Sequence, residues 1–161
     1  MDFRLGAAAA ALTLSLTSGA ALAGDIESGA SAFQSQCQNC HNVMNEEGDV
    51  LAGRPNVRTG PNLYGIIGRQ AGIEEFRYGA SLVEAGEEGL VWDEEEMVAY
   101  LLDPQGYLRE RLDSNRARSQ MSFRVRDEAT ARDVIAFLAQ FGAPAEDEAE
   151  DGADEDENSE G

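Results

Sequence analysis

The sequence predicts a small all-α domain of three main helices joined by long loops. Apolar side chains recur at helical spacing in three separate stretches, and nowhere do they alternate with polar ones as a half-buried strand requires. The segments between them carry Gly and Pro at turn positions, as in Thr59-Gly60-Pro61-Asn62 and Ile67-Gly68-Arg69. The length of 161 residues suffices for one modest core and not for two.

The first segment precedes that domain. Arg4 is followed by an apolar stretch from Leu5 to Leu16 and by Ala21-Leu22-Ala23, just before the polar Gly24-Asp25. This is the pattern of a secretory signal peptide over residues 1–23, cleaved after Ala23. A dozen strongly apolar residues fall short of the roughly 20 that cross a bilayer, so the mature protein is expected to be soluble and exported, in a bacterium to the periplasm.

The first helix is expected from Asp25 to Gln38, with Ile26, Ala30 and Phe33 on one face. It runs into Cys37-Gln38-Asn39-Cys40-His41, which holds the only two cysteines and the only histidine. Cys-x-x-Cys-His is the spacing of covalent haem attachment: each thiol joins one vinyl group, and the neighbouring imidazole is thereby held beneath the iron. A thioredoxin-like dithiol would call for a βαβ context that this chain lacks, and a zinc site would need a fourth ligand. One covalent haem c is therefore the expected cofactor. It also accounts for the long loops, which would otherwise count against the assignment, because they have the haem to pack on.

With no second His, the candidates for the other axial ligand of the iron are the thioethers of Met44, Met97 and Met121. Met44 follows His41 too closely to reach the opposite haem face. Met97 belongs to the second helix, Glu94 to Leu102, where Met97, Val98, Tyr100, Leu101 and Leu102 form an apolar stripe that Pro104 ends. Met121 lies in the polar segment Arg118-Ser119-Gln120-Met121-Ser122-Phe123, far enough along the chain to wrap round the haem, and is the expected ligand. A neutral thioether favours ferrous iron and raises the potential, and two filled axial positions suit a carrier of single electrons. The third helix, Asp127 to Phe141, buries Val134, Ile135, Phe137, Leu138 and Phe141 and stops at Gly142 and Pro144. Asp127 and Glu128 stand at its positive end.

The remaining segment, 146–161, holds ten acidic residues and no basic ones, and is expected to be a disordered acidic tail. Residues 24–145 carry 20 Asp and Glu against 11 Arg, a net charge of −9, and no Lys occurs anywhere. That acidity excludes nucleic acid as a partner, since its binding depends on Lys and Arg neutralising phosphates.

With Cys37 to His41, Gly60-Pro61-Asn62-Leu63-Tyr64-Gly65, Gly68-Arg69, Trp92 and Gln120-Met121-Ser122-Phe123 in this order, residues 24–141 resemble class I cytochrome c. Within that class they are most similar to the larger bacterial c2-like branch that resembles mitochondrial cytochrome c. The resemblance implies the small cytochrome c fold and an electron-transfer protein, not an enzyme. It implies that Gly29 and Phe33 pack where the first helix crosses the last, near Phe137. Pro61 would accept the second N–H of His41, Arg69, Tyr78 and Trp92 would surround a buried haem propionate, and Tyr100 would stand near the Met121 sulfur. Two stretches, Asn42 to Val57 and Leu108 to Gln120, are longer than in compact members and are expected to be loops.

From Arg109 to Arg126 six Arg stand against Glu110 and Asp113, a local net charge of +4 that flanks Met121. The family's carriers dock by a basic ring at the haem edge, and here Arg would take that part. The expectation is a monomeric carrier between a bc1-type complex and a terminal oxidase or photosynthetic reaction centre. The alternatives are an open-haem enzyme or gas-binding cytochrome, and a carrier serving a periplasmic dehydrogenase or nitrogen-oxide reductase.

Overall fold

The computed structural model describes residues 24–142; the expected signal peptide with its cleavage site and the acidic tail beyond residue 145 lie outside the described residues. Helix α1 spans Ile26–Ala32 and begins where the Asp25 carboxylate accepts from the Ser28 N–H at 2.7 Å. Its chain continues as a π-helical turn, Phe33–Cys37, so the expected helix to Gln38 is present with a widened end. The widening closes with Gln38 N–H on the Phe33 carbonyl and leaves the Cys37 carbonyl to accept from both Cys40 and His41 at 3.0 Å.

The stretch expected as a long loop after His41 is instead partly a hairpin. Strand β1, Asn42–Met44, pairs antiparallel with β2, Val50–Gly53, with an irregularity between Val43 and Met44. Asn45 accepts from the Asp49 N–H at 2.7 Å, and Gly48 takes a positive φ of 88°, which makes the turn. Three residues of β1 are too few to show alternation, so periodicity could not find it.

Two short helices were also not expected. Helix α2, Ala80–Glu87, has no side-chain cap at Gly79 and carries Gly86 within it, weak signals for a helix. Gly86 is needed there, because a Cβ would overlap the Ala71 carbonyl. Helix α3, Glu94–Leu102, has the expected bounds, with Asp93 capping the Glu96 N–H at 2.8 Å and three Glu in the first turn. Pro104 does end α3, and it also opens α4, Pro104–Arg111. Proline is well suited to the first helical position because its missing N–H would be unpaired there, and Asp103 caps the Gly106 N–H at 3.0 Å.

Helix α5 spans Glu128–Leu138, capped by Asp127 on the Thr130 N–H at 2.9 Å. It crosses α1 closely: a Cβ on Gly29 would overlap the Asp133 carbonyl and sit 2.9 Å from the Phe137 Cβ. Phe33 and Phe137 meet across the crossing with centroids 5.5 Å apart. Helix α3 packs on α5, and Phe33, Val43, Leu90, Leu108 and Val134 are wholly buried between these elements. The frame is thus all-α but for one hairpin. Among the described residues no helix is long and apolar enough to cross a membrane.

Candidate functional site

The frame leaves a mostly apolar cavity in its centre. The π-helical turn and the residues just after it bring Cys37, Cys40 and His41 to its wall, and the loop before α5 brings Met121. Met97 also lines it, but stands on α3 with 6% exposure as part of the core. Burial pushes the Cys37 thiol up to about 11, with the nearby Cys40 adding to the shift, so Cys37 stays protonated at neutral pH. Both cysteines are free of disulfides.

His41 is oriented by a strap formed from residues 59–64. Its Nδ1 lies 2.9 Å from the Pro61 carbonyl, which can only accept, so Nδ1 carries the proton and Nε2 keeps its lone pair. Burial lowers the His41 pKa, opposed by the Pro61 hydrogen bond, and both the neutral state and this tautomer suit metal ligation. The strap presses on the ring: a Cβ at Gly60 would overlap it, and the Gly60 N–H donates to the Cys40 carbonyl at 2.7 Å. Asn62 fastens the strap to the hairpin, its side chain accepting from the Met44 N–H at 2.9 Å and donating to the Met44 carbonyl at 2.7 Å.

Trp92 and Tyr100 line the cavity with ring centroids 5.0 Å apart. The Tyr100 hydroxyl lies 3.3 Å from Ser119 Oγ, which donates to the Met121 carbonyl at 2.9 Å. Burial raises the Tyr100 pKa, so its hydroxyl stays protonated. Arg69 and Tyr78 are not on the cavity wall. The Arg69 guanidinium donates to the Tyr64 carbonyl at 2.9 Å and the Asn62 carbonyl at 3.2 Å, and pairs with Glu74. It ties the Asn62 and Tyr64 carbonyls to Glu74. Tyr78 is half-buried and stacks edge-on against Phe76, whose ring does line the cavity.

Several contributors escaped the sequence reading. Phe76 stands in no apolar pattern, and Tyr107, within 6.2 Å of Trp92, belongs to the unforeseen α4. Six Arg were expected round the cavity mouth, but Arg111 pairs with Glu96 and Arg124 with Asp103, both at 3.1 Å. Arg118 turns onto the Asn115 and Ala117 carbonyls. Arg109, Arg116 and Arg126 are exposed and make no ion pair among the described residues.

The donor set fits a haem. Two thiols and an imidazole with a free Nε2 open into one apolar cavity beside a thioether, and among the described residues no cluster of three or more His, Cys, Asp or Glu stands together to hold a bare metal ion. A mostly apolar cavity lined by Cys37, Cys40, His41 and a distant Met121 within a helical frame fits a c-type cytochrome of class I.

No family model matches the chain. Cytochrome c2 of Rhodovulum adriaticum is 50% identical over 126 residues, 78% of this chain and 98% of the relative. Cytochrome c-550 of Paracoccus denitrificans is 35% identical over 98% of this chain and 100% of the relative. A crystal structure of cytochrome c2 from Rhodobacter sphaeroides matches with a TM-score of 0.70 at 46% identity, covering 73% of this chain and 96% of that one. The chain belongs to the bacterial cytochrome c2 family of class I cytochromes c. It is accordingly an electron carrier, not an enzyme, and its cofactor is one covalently attached haem c.

Proposed function

We propose that this is an exported periplasmic carrier whose haem is attached through Cys37 and Cys40 and ligated by His41 and Met121. The observation that carries the reading is the convergence of those four side chains on one apolar cavity. Bound there, the group supplies an iron that exchanges one electron with little change of ligation. The protein's part is to hold the imidazole by the Pro61 carbonyl, exclude water with Trp92, Tyr100 and Leu101, and leave an edge open near Gln120 and Phe123. The partners are a bc1-type reductase and a terminal oxidase or photosynthetic reaction centre. They are met at that edge by the exposed Arg109, Arg116 and Arg126, and the protein works as a monomer. Residues 1–23 direct export and are cleaved after Ala23, and residues 146–161 form an acidic tail.

The test is an absorption spectrum of the purified ferric and ferrous protein. A near-infrared sulfur-to-iron band, with no shift of the ferrous spectrum on adding carbon monoxide, is expected. High-spin iron, or prompt binding of carbon monoxide, would refute Met121 as ligand and favour an open haem that binds gases or catalyses.

A further inference from the structure

Residues 118–124 carry Met121 past the cavity without one main-chain hydrogen bond to another main-chain group among the described residues. Side chains hold them instead. Gln105, in the first turn of α4, sends both ends of its amide into the approach to Met121. Its Nε2 donates to the Ala117 carbonyl at 2.7 Å, and its Oε1 accepts from the Ser119 N–H at 3.3 Å. A primary amide offers a donor and an acceptor like a peptide group, so Gln105 stands in for the neighbouring strand that this loop lacks. Ser119 then donates through Oγ to the Met121 carbonyl at 2.9 Å, so the grip of the amide ends at the residue that bears the thioether.

The amide sits on a firm base. Asp103 caps α4, and Tyr107 and Arg111 on the same helix both bond Glu96 of α3, at 2.6 and 3.1 Å. On the opposite flank the Arg118 N–H donates to Ser81 Oγ of α2 at 3.0 Å. The two short helices thus converge on the segment just before Met121.

We propose that Gln105 is a positioning residue for Met121, and that its amide sets how often the thioether leaves the iron. This rests on Met121 being the axial ligand. A Gln at the start of a helix is ordinarily a solvated side chain; here both amide atoms are committed to one loop, which a solvated role does not need.

The test uses full-length holoprotein with Gln105→Met, which keeps the stem and removes the amide, and with Gln105→Glu, which keeps an acceptor for Ser119 but turns a carboxylate oxygen on the Ala117 carbonyl. Ferric protein is mixed with saturating imidazole, and the decay of the sulfur-to-iron band reports departure of the thioether. Both variants are expected to lose the band about tenfold faster than the parent, the scale of one or two forfeited hydrogen bonds. The Ser119 amide should exchange with solvent faster in Gln105→Met. A lowered unfolding midpoint with an unchanged imidazole rate would reduce Gln105 to a stabilising contact and overturn the proposal. A parent protein with no sulfur-to-iron band would overturn the ligand assignment and with it the positioning role, even if Ser119 exchange still quickens.

Discussion

Gly60 has no side chain because the His41 ring occupies the space one would need. The imidazole is held by the Pro61 carbonyl, so it cannot yield to an added methyl without losing that hydrogen bond. Gly60→Ala is therefore expected to cost about 1–3 kcal/mol, the range of core overpacking. It should also raise the high-spin fraction of the ferric protein, read by denaturant titration and by absorption. An unchanged spin state and midpoint would mean the strap moves freely. Cys37, Cys40 and His41 were legible in the sequence because their chemistry is written in consecutive positions. That Met121 would reach the same cavity was legible by elimination among few candidates. Gln105 and Phe76 were not, since a hydrogen bond to a distant carbonyl, or a ring in a loop, leaves no spacing to read. Arg69 was singled out, but whether its guanidinium faces the cavity or the Asn62 and Tyr64 carbonyls depends on a loop path that no local pattern specifies.

At the scale of elements, helices with both an apolar stripe and an acidic cap were found, Glu94–Leu102 to the residue and the last one ending at Leu138, three residues before the expected Phe141. Those lacking one signal were missed: α2 has no side-chain cap, and α4 lies behind a proline that reads equally well as a stop. The caps also set the response to acid. The Thr130 N–H, helped by its hydroxyl, holds the Asp127 carboxyl below its usual range, and the Ser28 N–H does the same for Asp25. A carboxyl depressed in the folded state stabilises at every pH above its unfolded value of about 3.9, and this contribution is lost as pH falls through the folded value. Asn can cap without titrating. Asp127→Asn should therefore show a shallower fall of thermal stability below about pH 4 than the parent, with little change at neutral pH. Parallel curves would remove the Asp127 cap from the acid response.

For the whole molecule, charge is the property that composition states and arrangement qualifies. The domain is acidic, and of the six Arg in the basic segment four make no ion pair among the described residues, because Glu96 and Asp103 claim the other two, while Arg118 is turned onto backbone carbonyls. Sequence counting could not see this, for the claiming carboxylates lie outside the segment counted. Long-range steering should accordingly follow the unpaired arginines. Arg116→Glu combined with Arg126→Glu should slow reduction of the ferric protein by hexacyanoferrate(II) several-fold at low ionic strength, roughly converging with the parent at 1 M salt where screening extends about 3 Å. Arg111→Glu should instead weaken the packing of α4 on α3 through Glu96 and lower the unfolding midpoint. Equal salt curves for the double variant and the parent would place the steering charge elsewhere.

The crossing of α1 and α5 through Gly29 also imposes an order in time. A polypeptide is made from its N-terminus, and nearly the whole domain separates these two helices, so the cysteine-bearing turn emerges long before the helix that will close over it. Until the last helix arrives, the wall that Val134 and Leu138 supply is missing and the thiols stand on an open chain. The final helix is thus the latch of the assembly, since its Val134 and Leu138 complete the wall of the cavity that Cys37 and Cys40 share.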